Sequence, residues 1–359
     1  MLKALTDGAF QLGYGLYKTK IGQSFHERTC AETRDGPPHS SSILVPIVPG
    51  CHVTIVPILH DNYAFLIVDE DSCTCLAVDP ADCDSVLAAI DKERLSLAGV
   101  LCTHTHWDHS GGNEELARKV PGLKIYGSAV DAVPGLTDPV TEGEMFWFPP
   151  RSVTPHPRLA IQVWEAPCHT KGHLLFLLHH TSGDGGAETS AAAAGAGLPP
   201  VALFSGDTLF AGGVGKFFEG TAEQMDNNLS RIGTLPPAAK VFCGHEYTVT
   251  NYKFAAALEP DNQQVSARLS WAMRLRVDSL PTVPSTLSDE MDTNPYMRVV
   301  TSRAACGKVC LLMHKITGEE ALQHGTAGGS TVLGALRRLR DSGTMQDKME
   351  DAGAIHEKQ

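Results

Sequence analysis

The sequence predicts an α/β domain followed by a smaller α-helical one, and three observations carry that expectation. Apolar, β-branched runs come early and close together, at Val53 to Leu59, Tyr63 to Val68 and Cys75 to Val78. A stretch of helical periodicity, Ser85 to Arg94, then leads into another buried run, AGVLC, which ends at Cys102, so strand and helix alternate. After Tyr247 the spacing is helical only, in Asn251 to Leu258, Asn262 to Arg276 and Thr331 to Asp341.

Length agrees with that division, since 359 residues with 42% hydrophobic and 19% charged side chains suit two globular units with a sizeable core. The expected boundaries are an N-terminal extension and linker over 1–45, the α/β domain over 46–247 and the helical domain over 248–359. Residues 181–200, TSGDGGAETSAAAAGAGLPP, read as a low-complexity surface loop inside the α/β domain. In the extension, Lys3, Lys18 and Lys20 flank AFQLGYGLY in the manner of a weak organelle-targeting or membrane-surface segment, and Asp7 counts against a transit peptide. The polar stretch Thr29 to Ser42, with Pro37-Pro38, reads as the linker. No apolar run reaches the ~18 residues of a spanning helix.

The formal net charge of −12 argues against a general nucleic-acid-binding surface and leaves room for a local basic pocket. Ten cysteines include no Cys-x-x-Cys pair, and Cys73 and Cys75 fall on one face of a strand, which points to reduced thiols in an intracellular compartment.

Taken in order, the elements present chemistry at strand ends. Asp79-Pro80 closes the third early run; Asp79 is either a turn opener or a partner for a ligand histidine. The AGVLC strand delivers LCTHTHWDHSGGN, in which His104, His106, Asp108 and His109 crowd into one loop. Imidazole nitrogen and carboxylate oxygen suit Zn²⁺, Mn²⁺ or Fe²⁺. His104 and His106 share a face by strand periodicity, whereas Asp108 and His109 turn away, so one loop can serve two adjacent ions. A short helix, Glu114 to Lys119, and a strand, Leu123 to Tyr126, follow. WEAPCHTKGHLLFLL then offers His169 and His173, equal by chemistry alone, with the soft Cys168 beside them. LFSGDTLF brings Asp207 to a strand end, where a carboxylate can join two cations, one per oxygen. CGHEY supplies His245 after the strand Lys240 to Phe242. Pro281 to Asn294 reads as a turn-rich connection, and the last charged residues as a frayed tail.

The segment His104 to His109, HxHxDH, resembles the signature of the metallo-β-lactamase superfamily, which implies a four-layer αββα sandwich as the α/β fold. Within it, THTHWDHSGGN, APCHTKGH, SGDTLF, GKFFEGTAEQM, CGHEYT and NPYMRVV are similar to glyoxalase II, hydroxyacylglutathione hydrolase, over about Val53 to Arg340. That resemblance selects His169 over His173 and gives Cys168 no ligand role. It implies two divalent ions, zinc first with iron or manganese as alternatives. His104, His106 and His169 would hold one, Asp108, His109 and His245 the other, with Asp207 between them. Asp108 and Asp207 are then the catalytic carboxylates, with Asp108 also readable as a general base in a one-metal site.

The implied reaction splits S-D-lactoylglutathione-type thioesters into glutathione and a hydroxy acid. Lys216, Phe218, His245, Tyr247 and Arg298 fall on substrate-contacting positions, and a lysine, an arginine and a phenol are groups that capture an anionic tripeptide. One departure stands out. Glyoxalase II carries a tyrosine in GKFYEG where this chain has Phe218 in GKFFEG, which removes a hydroxyl from the glutathione site. GYGLYK and YGSAVDAVPGLTDP resemble a branch of that family associated with mitochondria and membranes. The implied chain is a monomer, mitochondrial or membrane-associated, with a peripheral membrane or protein partner for its N-terminal segment; a cytoplasmic location is the alternative. Other readings are a regulatory or scaffold member with weak catalysis, and a mononuclear iron persulfide dioxygenase.

Overall fold

The computed structural model describes residue 24 and residues 38–154, 157–181 and 198–357. The expected targeting segment, most of the linker and most of the 181–200 loop lie outside the described residues. The rest folds as two mixed sheets packed face to face with helices outside each, the four layers the motif implied.

The first sheet runs Ile43–Val48, Cys51–Ile58, Asn62–Asp69, Thr74–Val78, Ser96–Leu101, Lys124–Gly127 and Asp138–Pro139 in spatial as in chain order. Its first four strands are antiparallel and joined by tight turns. The helix Cys83–Glu93 then carries the chain back so that Ser96–Leu101 lies parallel to Thr74–Val78. That helix begins where the Asp82 carboxylate accepts the Asp84 and Ser85 amides. The second sheet has the order Ser285–Thr286, Lys240–Cys243, Pro200–Gly206, Leu174–His180, Leu159–Glu165, Met145–Phe148.

Both central strand sets are apolar on both faces, as a four-layer fold requires. Tyr63, Phe65 and Ile67 meet Phe176, Phe204 and Phe242 between the sheets. Ala64, Leu66 and Val68, one residue out of phase, pack outward on Val86, Ile90 and Leu116. On the far side, Leu175, Leu177, Leu203 and Val241 meet Met225 and Leu229 of the helix Ala222–Ile232 and a cluster reaching into the C-terminal helices.

Two stretches differ from expectation. Pro281 to Asn294 contains the strand Ser285–Thr286, paired with Lys240–Cys243, and the helix Leu287–Thr293. A two-residue strand is too short to leave a periodic pattern, although the Thr286–Asp289 capping box that starts the helix is a local signal. The charged C-terminus is helical from Gln346–Glu357, because Met345 and Met349 bury themselves against the helical cluster. Among the described residues no helix is long and apolar enough to cross a membrane.

Phe204 is wholly buried between Phe242 at 5.1 Å and Phe65 at 5.7 Å, ring centre to ring centre. Phe204→Ala is expected to cost about 3–5 kcal/mol, seen as a lower urea midpoint with unchanged slope. A loss below about 1 kcal/mol would mean that the space between the sheets recloses.

Candidate metal centre

Strand ends from both sheets converge on one buried cluster. The backbone of Asp79 sits at φ 48, a left-handed conformation rarely taken by a residue with a side chain. The position lets one carboxylate accept the Thr103 amide at 2.8 Å, the Thr103 hydroxyl at 2.7 Å and His109 Nδ1–H at 2.9 Å. Asp79 is therefore a turn residue and the partner of a candidate ligand at once. Asp131 ties two histidine loops together, accepting the Thr105 amide at 3.3 Å and the Gly172 amide at 2.6 Å. Gly172 has no room for a side chain, since a Cβ would fall 2.6 Å from the Ser128 hydroxyl and 2.7 Å from Asp131.

Within the cluster the ligand-type atoms form two sets. His104 Nε2 lies 3.0 Å and His169 Nε2 3.1 Å from His106 Nδ1, and His169 Nε2 lies 3.4 Å from Asp207 Oδ2. In the second set His109 Nε2 and His245 Nε2 are 3.3 Å apart, and each faces Asp207 Oδ1, at 3.3 and 3.5 Å. Asp108 Oδ2 completes it at 3.5 Å from His245 and 3.8 Å from His109. Atoms bound tetrahedrally at about 2.0–2.1 Å from one cation would stand ~3.3 Å apart. Both sets match that spacing, and the two oxygens of Asp207 face one set each.

The remaining ring nitrogens explain the orientation. His104 Nδ1 meets the Thr103 hydroxyl at 3.0 Å, His169 Nδ1 donates to the Lys216 carbonyl at 3.0 Å, and His245 Nδ1 donates to Asp61 at 2.8 Å. With Nδ1 engaged, each Nε2 is left facing into the cluster. Asp207 Oδ1 is buried there and no hydrogen bond reaches it. A buried carboxylate oxygen that no hydrogen bond reaches, ringed by imidazole nitrogens and a second carboxylate, is unfavourable by itself and is what divalent cations neutralise. The donor set therefore fits metal ions.

Electrostatics divide the cluster in the same way. Burial, then the neighbouring imidazoles, drive His104 well below the ordinary histidine range and His106 down to about 3. Burial works against the charged forms of His109 and His245, but Asp207 and Asp108 outweigh it, holding His109 well above its usual range and His245 at about 10. The carboxylates thus demand positive charge where the second ion would sit.

His173 stays out of both sets. Its Nε2 accepts the Asp207 amide at 3.1 Å, and its ring stacks on His104 at 4.8 Å. Cys168 is also apart, its thiol directed to the Thr221 carbonyl at 3.4 Å and pushed up to about 12 by burial.

The cluster opens into a cavity of about 920 Å³ whose lining includes His106, Asp108, His169, Asp207 and His245, and also Lys216, Phe218 and Tyr247. The Phe218 ring sits 5.1 Å from that of His169 and 5.9 Å from that of His106, and Tyr247 stacks on His245 at 4.6 Å. Arg298 is not in the lining. Its guanidinium pairs with the fully buried Glu259, a charge that has to be matched where it lies. The cavity's arginines are instead Arg337 and Arg340, three residues apart on one face of the helix Gly329–Asp341. Sequence reading also passed over Asp61, Asn62 and Asp131 as site residues. Asn62 Nδ2 holds the Asp108 carbonyl at 3.0 Å and its carboxylate at 3.3 Å. The available signal for Asp61 and Asn62 was their turn, between two strands of the sheet that presents HxHxDH; nothing in spacing marks Asp131.

Removing the carboxylate that orients His109, in Asp79→Ala, is expected to weaken metal binding by about 10–100-fold in a chelator competition. Asp207→Ala should strip both sets, leaving little metal after gel filtration, while Cys168→Ala keeps the parental content. A Cys168→Ala protein without metal would contradict the ligand assignment.

The profile of the metallo-beta-lactamase superfamily matches residues 62–245, and that of the hydroxyacylglutathione hydrolase C-terminus matches residues 246–343. The chain is 43% identical to the cytoplasmic hydroxyacylglutathione hydrolase of Arabidopsis thaliana over 245 residues, 68% of this chain and 86% of that one. It is 44% identical to a hydroxyacylglutathione hydrolase-like protein of Gallus gallus over 248 residues, 69% of this chain and 80% of that one. A solved metallo-beta-lactamase from Staphylococcus aureus subsp. aureus COL aligns with a TM-score of 0.47 at 22% identity, covering 76% of this chain and 68% of that one. The chain belongs to the hydroxyacylglutathione hydrolase family of the metallo-beta-lactamase superfamily.

Proposed function

We propose that this protein is a metal-dependent thioester hydrolase that splits acyl-glutathiones of the S-D-lactoylglutathione type into glutathione and a hydroxy acid. The observation that carries the reading is a paired histidine–carboxylate cluster opening into a cavity that also holds cationic side chains. Two ions, zinc first and iron or manganese as alternatives, are assigned to the two sets. Divalent ions bound there supply Lewis-acid polarisation of the thioester carbonyl and water made acidic enough to react near neutral pH.

The chain's own groups do the rest. Water adds its oxygen to the thioester carbon, the carbon–sulfur bond breaks, and glutathione leaves as its thiolate. Asp108, which lines the cavity and is steadied by Asn62, is assigned the proton that the water gives up. Phe218 sets an apolar ring against His106 and His169, where it screens the reacting carbon from bulk water. Lys216, Tyr247, Arg337 and Arg340 are assigned to the tripeptide, whose carboxylates favour guanidinium and ammonium partners. Arg337 and Arg340 take the part that the NPYMRVV resemblance gave to Arg298.

A mononuclear dioxygenase would need the His104, His106 and His169 set alone and leaves Asp108 and His245 without a second ion to hold. The nine described cysteines are all free, which supports a reducing, intracellular setting.

Arg340→Ala is expected to raise KM for lactoylglutathione by about tenfold, a loss of ~1.4 kcal/mol, with kcat nearly unchanged, as for a contact made equally in ground and transition states. Arg298→Ala should lower the melting temperature instead and leave KM alone. Phe218→Tyr adds a hydroxyl at the tripeptide site and is expected to lower KM by about tenfold. A metal-loaded parent protein that hydrolyses no acyl-glutathione would overturn the assignment.

A further inference from the structure

The strands Leu209–Phe210 and Gly213–Val214 form a hairpin that begins two residues after Asp207 and ends two before Lys216. Side chains of the C-terminal helical region grip its main chain at five consecutive residues. Asn294 Nδ2 donates to the carbonyls of Phe210 at 3.2 Å and Gly213 at 3.0 Å. Asn251 Nδ2 donates to the Ala211 carbonyl at 3.1 Å, and the Gly212 amide donates to Glu290 Oε2 at 2.9 Å. Arg337 Nη1 donates to the Val214 carbonyl at 3.1 Å.

The grip is internally braced. Asn294 Nδ2 also donates to Glu290 Oε2 at 2.9 Å, while Asn294 Oδ1 caps the helix Pro295–Thr301 through the Tyr296 amide at 3.0 Å. Asn294 and Glu290 are completely buried, and neither lines the cavity. Beyond the hairpin the chain has no slack. A Cβ on Gly215 would fall 1.8 Å from the Asp207 carbonyl, and the next residue, Lys216, offers the carbonyl that orients His169.

We propose that Asn294 and Glu290 are positioning residues for the metal centre. By clamping the hairpin they set the Lys216 carbonyl against His169 Nδ1 and fix the chain that leaves Asp207. The helical region thus shapes the metal site as well as the substrate cavity. The inference rests on the proposed hydrolase for its activity readout alone.

The test uses the full chain, with zinc alone as the probe. Asn294→Ser keeps a helix-capping oxygen and deletes the amide donors. Glu290→Ala deletes the acceptor for Gly212, and Glu290→Gln restores one. Zinc affinity is measured by competition with a chromophoric chelator, and the His169 Nδ1–H signal is followed by ¹⁵N NMR of the zinc-free protein. Asn294→Ser and Glu290→Ala are expected to lose about tenfold or more in zinc affinity, together with the protected His169 signal. Glu290→Gln should stay within about twofold of the parent. Tyr252→Phe removes a buried hydrogen bond to Thr293, 2.9 Å long, while keeping the ring that lies against Gly212 and every hydrogen bond to the hairpin; it should lower the melting temperature and leave zinc affinity unchanged. Parental zinc affinity in folded Asn294→Ser or Glu290→Ala, or an equal loss in Tyr252→Phe, would overturn the proposal. If zinc affinity falls as expected while the parent cleaves no acyl-glutathione, the hydrolase reading fails and the clamp stands. If the parent is active and the clamp variants bind zinc as it does, the clamp alone fails.

Discussion

Everything around the cavity answers one electrostatic demand: Asp207 is a buried carboxylate with an oxygen turned to each of two histidine sets. A charge in that position is costly unless it is matched. Burial alone would raise its pKa, yet the surrounding imidazoles, His245 and His109 first, hold it far below the carboxylate range. The anion is kept, and the fold is arranged to receive cations against it.

That arrangement explains why so many polar side chains are sealed inside. His104, His109, His169 and His245 each have Nδ1 committed to an oxygen of Thr103, Asp79, Lys216 or Asp61. Asp61, Asp79 and Thr103 sit at strand ends and turns of the first sheet and Lys216 just after the hairpin, while His169 and His245 come from strand ends of the second sheet. The inter-sheet core of Phe65, Phe176, Phe204 and Phe242 therefore fixes the distances between ring and acceptor. The helical region adds a second constraint through the hairpin it grips beside Asp207. Packing of the helical region therefore reaches the candidate ligand His169 through one backbone carbonyl, that of Lys216.

Much of this was legible in the residues themselves. The strand runs, the crossover helix and HxHxDH lie within short windows, where period and spacing speak directly. His169, Asp207 and His245 are each short-range strand-end signals, and the structure brings them to one cluster across 76 residues of chain. The choice between His169 and His173 was beyond spacing, because it depends on which ring the Asp207 amide occupies. Arg298 illustrates the opposite failure. Its motif was sound, but the buried Glu259 that claims it comes from the neighbouring helical segment, and sequence distance says nothing of that pairing. Arg337 and Arg340 were passed over because a basic pair on an amphipathic helix reads as solvated surface until the cavity beside it is seen.

The central claim, two ions joined by Asp207, is tested most directly by anomalous diffraction from crystals of the metal-reconstituted protein, recorded at the metal's absorption edge. Two peaks about 3.5–4 Å apart are expected, one among His104, His106 and His169, the other among Asp108, His109 and His245, with Asp207 reaching both. A single peak at the first position, with Asp108 and His245 turned away at saturating metal, would contradict it.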